Sequence, residues 1–257
     1  VGEERHAVID LALRYLGLGA PTVVEVDDQG RMRPDALSAA LGRSTGPSIV
    51  CLQAGNLHSG AFDPIGELTA LAHERAAWVH VDGAFGLWAA ASPLFRERLA
   101  GLDTADSWAT DAHKTLNVPY DCGMAIVSRP EVMRSTFGVH TSYLVADDPA
   151  RATRTRRSPS CRAAPAGCPC GRPCGHSVDP APWPWWSGWP PMPVPSAEEL
   201  IDEGAAWMSG SRWHGRNVLR VSASNWATNA EDVAQSIAAV ERAVAAASRA
   251  APEDMPT

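Results

Sequence analysis

Two short stretches carry residue types suited to covalent chemistry. His80-Val81-Asp82-Gly83-Ala84-Phe85 sets a carboxylate among small residues that let a flat ligand approach the backbone, and Asp111-Ala112-His113-Lys114 sets an amine beside an imidazole. A lysine amine made partly neutral by desolvation forms Schiff bases with carbonyl compounds. An Asp and a Lys at neighbouring strand ends are what pyridoxal phosphate requires: the amine binds the aldehyde, and the carboxylate keeps the ring nitrogen protonated so that the ring accepts electrons. His6, near a helix start, is placed to stack on such a ring. By spacing alone, the ordinary meaning of the pair is an aspartate that caps a loop or helix and a lysine in solvent.

These residues need strands to present them. The pattern predicts a helix over Val1 to Leu16, with Val8, Leu11, Leu13 and Leu16 on one face and Gly17 as terminator. A strand is expected over Thr22 to Val26, a helix from Pro34 to Leu41, an apolar strand over Ser48 to Leu52 and a helix from about Ile65 to Ala76. Strands Ala77 to Val81 and Ser107 to Thr110 follow, then Gly123 to Val127 and a short helix from Pro130. Strands separated by helices imply an α/β fold with a three-layer, mostly parallel sheet. In such sheets ligands gather at the carboxyl ends of the strands, where Asp82 and Lys114 fall.

Composition breaks the chain into three. Residues 1–150 read as ordinary α/β protein, whereas 151–195 hold eleven of the 21 prolines, four of the six cysteines and four of the ten tryptophans. Proline at that density forbids helix interiors and central strands. The expected division is a partial large domain over 1–150, an irregular segment over 151–196 and the remnant of a small α/β domain over 197–257. The middle segment has the composition of a GC-rich coding region read out of frame and partly deleted. In the last part, Val218 to Val221 is expected as a strand, and Thr228-Asn229-Ala230-Glu231 fits a capping box that starts a helix bearing Val233, Ile237, Val240 and Val244.

The bulk properties limit the partners. With 257 residues, 45% of them hydrophobic, and a net charge of −7, the chain can bury a substantial core and is a poor match for nucleic acid or anionic membrane. The opening VGEERHAVID lacks the features of a signal peptide, so a cytoplasmic location is expected, and its start without Met reads as that of a fragment. No metal is expected. Cys168, Cys170, Cys174 and His176 offer zinc-type ligands, but their spacing is not that of a standard finger or ribbon.

HVDGAFGLWAAAS together with DSWATDAHKTLNVPYDCG closely resembles the group II pyridoxal phosphate-dependent decarboxylases, the family of the aromatic amino acid and glutamate decarboxylases. The resemblance runs from about His6 to Leu144 and resumes over Trp207 to Val240. It implies the aspartate aminotransferase-like fold (fold type I), here incomplete, and decarboxylation of an L-amino acid to the amine and carbon dioxide. It makes Lys114 the Schiff-base lysine, Asp82 the partner of the pyridinium nitrogen, Ala84 a neighbour beneath the ring, His6 the stacking and catalytic histidine, and His113 a contact to the phosphate or Schiff-base region. A homodimer is the assembly that goes with it. An inactive member of the family, or a transaminase or carbon-carbon lyase of the same fold, is the alternative.

Some positions depart from the family pattern. Leu57 stands where many relatives have Thr, and Asp111 where Asn often lies near the phosphate; a carboxylate there would repel a phosphate dianion. Tyr143 resembles a Tyr just before the family's mobile loop, yet the loop tyrosine expected to protonate the substrate carbon has no counterpart, since no Tyr follows 143.

Overall fold

The computed structural model describes residues 1–137, 208–221 and 229–250. The expected irregular segment, Tyr143, the Cys168–His176 set and Thr228 lie outside the described residues.

Four strands form the main sheet: β1 (Ile49–Gln53), β2 (Trp78–Asp82), β3 (Ser107–Asp111) and β4 (Gly123–Val127), in that order across the sheet. β1, β2 and β3 run parallel, with Gln53 opposite Asp82 and Asp82 opposite Ala109. β4 returns antiparallel to β3. The first three strands therefore end on the same edge, and Gln53, Asp82 and Asp111 come out side by side.

Alternation within the strands decides what is buried. Val50, Leu52, Val79 and Val81 form one apolar cluster with Leu37 and Leu41 of helix α2 (Pro34–Gly42) and with Ile65, Leu68 and Ala72 of helix α3 (Ile65–His73). Burying a side chain of that size contributes roughly 1.5–3 kcal/mol, so this cluster is the main source of cohesion. The intervening residues are only half-buried and carry polar chemistry: the Ser107 hydroxyl accepts from Trp78 Nε1 at 2.8 Å and meets His80 Nδ1 at 2.9 Å. Burial holds His80 below the usual imidazole range, against the opposing charge of Asp82. At the amino end of the sheet the Asp106 carboxylate accepts the Val79 N–H at 2.8 Å and contacts His73 Nε2 at 3.0 Å.

Several elements differ from the sequence expectation. Helix α1 covers Val8–Tyr15 rather than beginning at Val1, because Gly2 bridges Val24 as extended chain. Its Gly17 terminator is as expected: φ is +70°, Gly17 N–H donates to Arg14 and Leu18 N–H to Leu13, the paired bonds of a Schellman cap. Thr22 to Val26 makes only isolated bridges, at Val24 and Val26, and no regular strand. The connection from β2 to β3 is three short 3-10 turns, Leu87–Ala91, Arg96–Leu99 and Leu102–Thr104, where a helix would be usual. Helix α4 (Pro130–Phe137) follows β4.

Near the C-terminus, β5 (Ser209–Trp213) and β6 (Arg216–Arg220) form a hairpin through His214 and Gly215, both at positive φ. The expected strand over 218–221 is thus shifted, and its partner β5 has too polar a sequence, SGSRW, to announce itself. Helix α5 (Ala230–Ala250) is capped by Asn229, whose Oδ1 accepts the Glu231 and Asp232 N–H groups while Asp232 Oδ2 accepts the Asn229 N–H. The reciprocal cap therefore sits one residue later than the Thr228 to Glu231 box. A second, smaller cluster of Met208, Ala239, Val240 and Ala243 holds helix and hairpin together.

Candidate active site

The site is built where β2 and β3 end. Asp82, the last residue of β2, is half-buried; its Oδ1 accepts the Ala84 N–H at 3.1 Å, and no cation pairs with it among the described residues. The turn after it is drawn tightly against the neighbouring loop, with Gly83 N–H donating to Ala109 O, Ala54 N–H to Asp82 O and Gly86 N–H to Ala54 O. A Cβ on Gly86 would lie 2.6 Å from Ala54 O and 2.7 Å from the Phe62 ring, so this approach requires glycine. The result fixes Asp82, Ala84 and Phe85 on one rigid turn.

Lys114 lies three residues beyond the end of β3. Its Nζ is 2.9 Å from Asp111 Oδ2 and 4.0 Å from the centre of the Phe85 ring, and both charged side chains are about three-quarters shielded. The Thr115 hydroxyl donates to Phe85 O at 3.0 Å and the Thr110 hydroxyl to Gly83 O at 3.0 Å, stitching the lysine loop to the aspartate turn. Asp82 and Lys114 are thereby brought onto one edge, joined through Phe85. Asp111, whose charge argues against a phosphate contact, is the counter-ion of the lysine.

The histidines are less tightly gathered. His113 Nδ1 is 3.1 Å from the Cys122 amide nitrogen and 3.3 Å from its carbonyl oxygen, and the ring packs edge-on against Tyr120 at 4.5 Å. The shorter contact, in which Nδ1 accepts the N–H, puts the ring proton on Nε2. His6 is exposed; its Nδ1 accepts the Val8 N–H at 3.1 Å and closes the first turn of α1, and no hydrogen bond joins it to Asp82, Lys114 or His113. Its segment does reach the sheet edge, because Glu4 O accepts from Gln53 Nε2 at 3.2 Å.

Sequence reasoning missed three features around this edge. Phe85 was visible in the HVDGAF stretch but had no assigned role. The second is a chain of contacts in which the Glu4 carboxylate accepts from His58 Nδ1 at 3.0 Å, leaving Nε2 to accept the Ser211 hydroxyl at 3.2 Å. It spans 153 residues between His58 and Ser211, so no local pattern reveals it. The third is Asp63, whose carboxylate accepts the Met32 and Gln53 N–H groups at 2.7 Å each. Burial pushes its pKa up to about 6, although those two donors pull the other way. A simple count adds a further signal: Lys114 is the only lysine in the chain, beside 21 arginines.

Among the described residues no cluster of three or more His, Cys, Asp or Glu is placed to hold a metal ion, and no helix is long and apolar enough to cross a membrane.

Residues 1–159 match the family model of the pyridoxal-dependent decarboxylase conserved domain. The chain is 34% identical over 151 residues to the aspartate 1-decarboxylase of Aliivibrio fischeri, covering 56% of this chain and 27% of that protein. It is 31% identical over 148 residues to the aromatic-L-amino-acid decarboxylase of Bacillus atrophaeus, covering 55% of this chain and 31% of the relative, and 30% identical over 152 residues to the human acidic amino acid decarboxylase, covering 56% and 29%. The matched length is thus less than a third of each of these relatives. Among solved structures, Oryza sativa TDC with PLP and tryptamine superposes with a TM-score of 0.73 at 19% identity, over 96% of this chain and 62% of that one. Mouse CSAD superposes at 0.70 and 19% identity, over 95% and 63%. At such identities the likeness is one of fold: α/β, with a mostly parallel sheet.

Proposed function

The chain belongs to the pyridoxal-dependent decarboxylase family, and from that premise we propose that it carries the lysine-bearing part of a site that removes the carboxyl group of an L-amino acid, releasing carbon dioxide and the amine. The observation that carries this reading is the sole lysine just past one strand end and, at the end of the neighbouring parallel strand, a carboxylate with no cation partner among the described residues. That donor set fits pyridoxal phosphate. An aldehyde needs an amine, and a protonated ring nitrogen needs an anion that nothing else neutralises.

When bound, the cofactor supplies an electron-accepting ring. Lys114, the sole lysine, would hold it through its amine. Asp82, immobilised by the glycine turn, holds a proton at the ring nitrogen. Ala84, with no side chain beyond Cβ, leaves room beneath the ring, and His113 offers its Nε2 proton to an anionic group on the cofactor. His6 would pack against the other side of the group, which requires the segment before α1 to carry it over the sheet edge. A second copy of the chain is the expected partner, as a homodimer.

A second reading, in which the chain keeps the lysine-bearing sheet without turnover, is favoured by the lack of any tyrosine after Tyr143 in the sequence to act as proton donor. One experiment separates them. The chain is incubated with pyridoxal phosphate, reduced with borohydride and digested, and released carbon dioxide is measured in parallel with a panel of labelled amino acids. A phosphopyridoxyl mass on the Lys114 peptide with carbon dioxide release supports the decarboxylase. The same mass without release, or no mass at all, overturns the decarboxylase and supports the second reading.

A further inference from the structure

The surroundings of Lys114 carry more than its attachment role. An ammonium group is favoured by an anion in contact and by the face of an aromatic ring. Lys114 has both, with the Asp111 carboxylate at 2.9 Å and the Phe85 ring at 4.0 Å. An amine attacks a carbonyl only when it is neutral and its lone pair is free. The arrangement therefore points the lysine and restrains it at once.

We infer that Asp111 is a positioning residue which holds Lys114 over Phe85 in the resting chain and must release it before the amine can condense with an aldehyde. The inference rests on the reading of Lys114 as the attachment lysine, and it gives Asp111 a role other than phosphate binding. In the condensation the lysine nitrogen attacks the aldehyde carbon, forming the N–C bond. The carbonyl oxygen leaves as water with two of the three ammonium protons, and the third passes to bulk solvent by way of the Asp111 carboxylate. Asp82 does not compete for this duty, since its carboxylate accepts from the Ala84 N–H of its own turn and, among the described residues, does not pair with Lys114.

The sole lysine makes the test direct. The full chain is treated at neutral pH with formaldehyde and cyanoborohydride, which supplies the hydride that reduces the C=N bond, and methylation of Lys114 is followed by mass spectrometry against the terminal α-amino group. Asp111→Asn is expected to speed methylation roughly fivefold, the scale of a partly exposed ion pair. Phe85→Leu should speed it about twofold. Asp111→Glu, which restores the charge, should return to near the parent rate, an outcome that a purely structural role would not give. An Asp111→Asn rate equal to or below that of the parent, or an Asp111→Glu rate as fast as that of Asp111→Asn, overturns the proposal. Because no pyridoxal phosphate is used, failure here leaves the proposed decarboxylase function standing, and failure of cofactor capture leaves this result standing.

Discussion

The sheet region and the C-terminal hairpin with its helix are held together by different means. Among the described residues, the cluster around the sheet buries fifteen, whereas that of hairpin and helix buries four. All the candidate site residues sit in the first region. The second touches the sheet edge through the Ser211 hydroxyl on His58, itself anchored by Glu4. The lesson is a division of labour: chemistry is mounted on the part with the larger described core, and the smaller part meets it through a polar contact.

The sharpest test of that division is covalent. Lys114→Ala should abolish every borohydride-trapped pyridoxal phosphate adduct on a lysine, read by peptide mass, while circular dichroism stays unchanged. Next comes the core contrast. Leu52→Ala, at a fully buried position, should cost about 3 kcal/mol in urea unfolding, and Val240→Ala in the smaller cluster about 1–2 kcal/mol; equal costs would break the comparison.

Asp63 tests the sheet region by pH. A carboxyl whose folded pKa is raised by burial gives stability that is full below the unfolded value of 3.8 and is lost as pH rises through about 6. The expected loss across that window is about 3 kcal/mol at most, measured as urea midpoints from pH 4 to 7. Asp63→Asn should flatten the slope. Asp82→Asn, which removes the anion while keeping the side-chain size, should weaken cofactor retention roughly tenfold or more in equilibrium dialysis. The smallest effect belongs to that polar contact. His58→Ala should cost about 1 kcal/mol, seen as faster tryptic cleavage at Arg212, Arg216 and Arg220 with no change in cofactor capture.

Legibility in the sequence followed locality. β1, β2 and α2 were readable because their apolar residues repeat within five to nine positions. That Asp82 and Lys114 fall at strand ends was readable because the ends of parallel strands are predictable places, while the roles given to them came from the resemblance carried by HVDGAF and DAHK. What stayed hidden came from contacts distant in the chain. Ser211 meets His58, and Gly2 pairs with Val24 instead of joining α1. Asp111 shows a subtler failure. It stands only three residues from Lys114 and was set aside as a phosphate ligand because of its charge, but no spacing rule says that the lysine would be its partner.

The place of β2 inside the sheet also has a consequence in time. β2 is paired to β1 on one side and β3 on the other, with Val79 and Val81 fully buried, while Lys114 lies past the end of β3 in a turn. Amide protons on β2 should therefore exchange with deuterium only on global opening, and those from His113 to Asn117 on much faster local excursions. Asp82 then serves as a fixed post on the slowest clock of the molecule, and Lys114 as an arm that swings many times before that post moves.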